Sequence, residues 1–179
     1  RNIPIMATRG CPYQCTFCSN YEMWTKRYYM RDPEDVIDEI KYYIKKYKVT
    51  GIQFYDLTAI VKKQWIVEFC NLYLKNKLSI EWSLPSGTRS EALDDEVLQL
   101  LQKSNLRYLV YAPESGSENT LVNIKKRISL SAMIHSVKTA VKNNIDVRTN
   151  FIIGFPYETR KELYKTFFLH LRMALMGVG

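Results

Sequence analysis

The sequence is short of histidine, of long apolar runs and of dispersed cysteine, and each shortage argues against a class of protein. Only His135 and His170 are present, both in helix-like stretches far from the cysteines, so a zinc centre of Cys3His type lacks a neighbouring fourth donor. No apolar run approaches the roughly 20 residues that a membrane-spanning helix needs. The opening Arg1-Asn2-Ile3-Pro4 does not have the layout of a secretory signal. A soluble, cytoplasmic protein without membrane attachment is the expectation. No linker, low-complexity tract or sequence repeat breaks the chain. Cysteine is clustered: three of the four lie within eight residues, and Cys70 stands alone in an apolar stretch. Clustered thiols in such a chain point to metal ligation and away from a disulfide framework.

What is present is an ordinary globular mixture, 46% hydrophobic and 25% charged over 179 residues, enough for one domain. The net charge is +8. Lys41, Lys45, Lys46 and Lys48 lie among tyrosines and isoleucines on one apparent helix, and Lys125, Lys126 and Arg127 form one short run. This placement reads as solvated helix faces, and a nucleic-acid partner is not expected.

The chain alternates strand and helix. Strands are predicted at Ile3 to Thr8, Ile52 to Tyr55, Ile80 to Leu84 (closed by Pro85-Ser86-Gly87), Leu106 to Ala112 and Ile145 to Ile153. Asp32-Pro33 opens a helix carrying Val36, Ile37, Ile40 and Ile44. Helices are also predicted at Trp65 to Leu74, after Asp94-Asp95-Glu96, after Ser129, and from Arg160 to Met176. Strands that each lead into a helix imply parallel pairing, in a doubly wound sheet or a β/α barrel. Both place ligand-handling residues just past the carboxyl ends of the strands.

The stretch from Cys11 to Cys18 spells C-x3-C-x2-C. Iron–sulfur cubanes are normally held by four thiolates. Three closely spaced thiolates hold three irons and leave the fourth open to bind a substrate. Cys70, among Val67, Phe69 and Leu72, reads as a small core residue. A plain electron-transfer cluster and a zinc site are the lesser readings.

With Phe17 before the third cysteine, the motif resembles the signature of the radical S-adenosylmethionine (SAM) superfamily. Arg9-Gly10-Cys11-Pro12, Pro113-Glu114-Ser115-Gly116-Ser117 and the run from Asn150 to Thr159 resemble one branch of it. Members of that branch often carry an upstream cobalamin-binding domain and share features with the methylthiotransferases. The resemblance covers about residues 5 to 170. It implies an α/β fold, a partial (β/α) barrel of parallel strands, TIM-like, with about five of the usual six strand–helix units. Residues 1–179 are then a single core domain from a longer protein.

The resemblance also implies a [4Fe–4S] cluster on Cys11, Cys15 and Cys18, with SAM bound at the open iron. Reductive cleavage to a 5′-deoxyadenosyl radical would serve C–H functionalisation, with cobalamin-dependent methyl transfer as one outcome. The electron would come from a donor such as flavodoxin or ferredoxin. Cobalamin would need a domain outside this stretch, because neither histidine stands in an Asp-x-His-x-x-Gly pattern.

By the same resemblance, Phe17 and the Ile152-Ile153-Gly154 stretch flank adenine, Asp56 meets the SAM amino group, and Arg89 lies near the carboxylate. Many relatives have a second acid after Asp56, where this chain has Leu57. Glu114 and Ser115 belong to the second motif. Strand alternation, read without the family, puts Arg148, Asn150 and Ile152 on one inner face and Glu114 at the end of its strand. Two other functions are carried: a methylthiotransferase acting on tRNA or a ribosomal protein, and a zinc-stabilised, non-catalytic binding module. The sequence does not name the substrate.

Overall fold

The computed structural model describes residues 1–24 and 27–179. Its elements run β1 (Asn2–Ile5), β2 (Thr8–Arg9), α1 (Asn20–Trp24), β3 (Tyr29–Met30), α2 (Pro33–Tyr47), β4 (Gly51–Phe54) and α3 (Lys63–Lys75). They continue as β5 (Glu81–Thr88), α4 (Asp95–Lys103), β6 (Leu106–Glu114), α5 (Glu118–Asn123), α6 (Leu130–Lys142), β7 (Asp146–Phe151) and α7 (Arg160–Ala174). Five strands form one parallel sheet in the order β1-β4-β5-β6-β7. The order never reverses, which removes the doubly wound alternative, because that fold needs a switch point. The result is an open arc of a (β/α) barrel with β1 and β7 at its edges.

Local chemistry accounts for the helices. Asp32 accepts a 2.8 Å bond from the Glu34 amide, with Pro33 in the first turn, so α2 starts where its sequence predicts. Asp94, Ser129 and Thr159 cap α4, α6 and α7 in the same way, the last with a capping box completed by Glu162. The helices bury one face of the sheet. Trp65 and Phe69 of α3 stack at 5.7 Å, and Phe69 meets Trp82 of β5 edge-on at 5.3 Å.

Several boundaries differ from expectation, among them the end of β6, which runs past Ala112 to Glu114. The predicted first strand is broken after Ile5, and Thr8–Arg9 pairs antiparallel with Tyr29–Met30 instead. The third strand runs on through Pro85-Ser86-Gly87 to Thr88, because a register shift lets the strand pass proline and rejoin β6 at Tyr111. The last strand ends at Phe151. The short helices α1 and α5 were not foreseen.

Candidate cofactor site

The cysteine loop leaves the carboxyl end of β1 and is pinned at successive points. Asp56, at the end of β4, accepts bonds from the amides of Ala7 (3.3 Å) and Thr8 and from Thr8 Oγ1 (2.5 Å). Burial pushes the Asp56 carboxyl up, and those bonds oppose the rise. Gly10 turns the chain at φ +83°, and a Cβ there would run into the carbonyl of Arg27. Asn20 Nδ2 donates to the Cys11 carbonyl at 3.2 Å. The Thr16 amide donates to the carbonyl of Ile124 at 3.0 Å, and Phe17 packs on Phe155 with ring centroids 5.7 Å apart.

Cys11 and Cys15 are half-buried and Cys18 is exposed. Burial pushes the Cys11 and Cys15 thiols up from their ordinary value. For Cys15 the fields of Lys126 and Arg89 act in the opposite direction. Among the described residues, no three His, Cys, Asp or Glu side chains converge on a single ion position. A cubane places a separate iron at each thiolate and needs no such convergence.

The possible fourth donors lie elsewhere. Cys70 is fully buried in the core, where its sulfur accepts from Ser104 Oγ at 3.3 Å. His135 bonds Asp95 at 3.0 Å, and His170 meets the Phe151 ring edge-on at 5.4 Å.

Beside the loop, Lys126 Nζ donates to Glu114 Oε1 at 2.9 Å, both side chains buried. Glu114 holds a left-handed backbone at φ +66°, unusual for a residue with a Cβ. Its carbonyl accepts from the Ile152 amide at 2.8 Å, which ties the ends of β6 and β7 together. Lys126 was read from sequence as part of a solvated basic run. The structure corrects that for Lys126, which is 8% exposed between exposed Lys125 and Arg127. The missed signal is alternation: Ile124, Lys126 and Ile128 take the inward positions.

The other expected site residues divide. Gly154 sits at φ +92° with open space before it, and its amide donates to Glu158 at 2.9 Å. Phe17 and Phe155 line a cavity of about 430 Å³ with Thr16, Thr120 and Glu158. Thr120 Oγ1 and Glu158 Oε1 are buried there without a partner among the described residues. Ser115 is turned away, bonded to Thr166 of α7 at 3.0 Å. Arg89 lies at the loop but is committed to Glu91, to the carbonyl of Arg127 and to the Tyr13 ring.

Asn150 lies near the end of β7 and is exposed. Arg148 stands apart from the loop. It is in register with Val110, about 10 Å below the strand end at 3.3 Å per residue. Its guanidinium lies 5.2 Å from the Tyr108 ring, in a cavity that includes Asn2, Gln53 and Ser83.

An open parallel (β/α) arc with three free thiols in the loop past its first strand is the frame that the sequence resemblance implies. The chain belongs to the Radical SAM superfamily, whose family model matches residues 5–169. It is 32% identical over 162 residues to an uncharacterised methyltransferase of Pyrococcus horikoshii, covering 90% of this chain and 35% of that one. It is 27% identical over 159 residues to an anaerobic magnesium-protoporphyrin IX monomethyl ester cyclase of Rubrivivax gelatinosus, covering 89% and 28%.

Its fold matches that of the radical SAM methyltransferase TsrM from Kitasatospora setae, solved with cobalamin and a [4Fe–4S] cluster. The TM-score is 0.82 at 15% identity, over 96% of this chain and 34% of that one. The cobalamin-dependent radical enzyme OxsB gives a TM-score of 0.81 at 17% identity, over 93% and 26%. The chain thus spans about a third or less of these relatives. It is a radical SAM enzyme domain. Among the described residues, no helix is long and apolar enough to cross a membrane.

Proposed function

We propose that Cys11, Cys15 and Cys18 hold a [4Fe–4S] cluster and that this domain reductively cleaves SAM for C–H functionalisation. When bound, the cluster would supply the electron that splits SAM into methionine and a 5′-deoxyadenosyl radical. The observation that carries this reading is a loop of three thiols with Cys70 and both histidines engaged elsewhere in the fold. A loop offering three thiols and no further donor would leave one iron open to the cofactor.

Lys126 and Glu114 provide a buried cation and carboxylate of the right signs for the amino-acid end of SAM. Phe17 and Phe155, with the backbone at Ile152 and Gly154, suit the apolar faces of adenine. Among the described residues, Thr120 Oγ1 and Glu158 Oε1 are buried polar atoms without a partner beside that aromatic pair. Asp56 fixes the root of the loop in place of the direct amino-group contact that the resemblance implies.

The named methyltransferases among the relatives support methyl transfer as the outcome, with cobalamin held by residues outside 1–179 and an external donor such as flavodoxin or ferredoxin supplying electrons. The test is anaerobic reconstitution followed by reduction in the presence of SAM. About four irons per chain and equal yields of methionine and 5′-deoxyadenosine are expected. Iron-free protein, or a loaded protein that leaves SAM intact, overturns the proposal.

A further inference from the structure

Arg89 follows directly on β5 and is 7% exposed. Its Nε donates to Glu91 Oε1 at 2.9 Å, and Nη2 donates to the same oxygen at 2.5 Å and to the carbonyl of Arg127. Those bonds fix the plane of the guanidinium, as a lysine ammonium could not. The carbon of that plane lies 3.6 Å from the centroid of the Tyr13 ring, close contact for a cation over an aromatic face. Tyr13 stands between Cys11 and Cys15, and Arg127 adjoins buried Lys126. One side chain therefore touches the cysteine loop, the end of a barrel strand and the segment that presents the buried cation.

We propose that Arg89 is the positioning residue of the cysteine loop, clamping Tyr13 in place and setting a fixed positive charge beside the cluster. This rests on the cluster reading above. It differs from a direct role at the SAM carboxylate, which would leave iron release in the absence of SAM unchanged. The clamp works through the loop, and the charge favours the reduced, more negative cluster.

The experiment compares the native protein with Arg89→Met, Arg89→Lys, Tyr13→Leu and Tyr13→Phe, each reconstituted anaerobically. Iron release to a chelator and the cluster midpoint potential, followed by EPR, are the readouts. Arg89→Met and Tyr13→Leu should each release iron about 10-fold faster, with the double variant no worse than either single one. Tyr13→Phe keeps the ring and should match the parent. Arg89→Met should shift the potential to more negative values, whereas Arg89→Lys should hold the potential and still release iron faster.

Parental release and potential in Arg89→Met would overturn the clamp. Tyr13 is half-buried in a loop, so Tyr13→Leu carries the test should Arg89→Met not fold. A native protein that takes up no iron defeats the cluster reading instead. The clamp is then decided by alkylation of the metal-free protein. Tyr13→Leu, which keeps the charge of Arg89, should speed labelling of Cys11 and Cys15 and leave exposed Cys18 unchanged; parental rates at Cys11 and Cys15 overturn it.

Discussion

Lys126 donates a 2.9 Å hydrogen bond from Nζ to Oε1 of Glu114, with both side chains less than a tenth exposed. A buried pair of this kind adds little over an apolar pair of the same shape, but removing one partner strands a charge. Lys126→Met should therefore destabilise the metal-free protein by about 3–5 kcal/mol. Glu114→Gln combined with Lys126→Met should recover most of that loss. Chemical denaturation of the two variants against the parent measures both effects.

Thiol chemistry should separate the cysteines. Burial pushes the Cys70 thiol up to about 12, and its side chain is fully buried, so iodoacetamide should label Cys11, Cys15 and Cys18 in native metal-free protein and spare Cys70. Mass spectrometry of the labelled protein reads this directly. Cys70→Ala should keep the iron content of the parent, whereas Cys15→Ala should lose it.

Gly10→Ala should abolish iron binding while leaving the sheet folded. The substitution asks an alanine to hold φ +83° and drives its Cβ into the Arg27 carbonyl, so the loop cannot close on its neighbouring segment. Iron content should fall to background with far-UV circular dichroism unchanged.

Glu162 should give the protein an acid-sensitive component of stability. Bonds from Asn119 and from the Thr159 amide and hydroxyl hold its carboxyl down, from 4.5 to about 2. A carboxyl lowered on folding stabilises above its unfolded pKa, and that contribution is lost as pH falls from 4.5 towards 2. Glu162→Gln should flatten the decline in that window. Urea midpoints measured at several pH values between 2 and 5 check it.

Most of the sheet was legible because its signals are local. Apolar runs such as Ile52 to Tyr55 and caps such as Asp32 and Ser129 act within a few residues, and the structure uses them as read. The strand order was not legible, because periodicity fixes no neighbour in space; the monotonic order settles the barrel. The contacts of Lys126 and Arg89 were hidden for a related reason. Each is defined by a partner far along the chain, Glu114 or Tyr13, and in isolation a lysine in a Lys-Lys-Arg run reads as solvated. Alternation assigns Arg148 to a face of its strand, but it carries no information about depth along the strand.

The monotonic strand order bears on how the molecule comes into being. Each strand finds its sheet partner in the adjoining unit, so the arc can grow from its amino end during synthesis, with little waiting for distant chain. The thiols emerge from the ribosome before Arg89, Glu114 and Lys126, which arrive with later units. The proposed cluster would therefore gain its flanking contacts, from Arg89 to Tyr13 and from Ile124 to Thr16, only once β5 and α5 are in place.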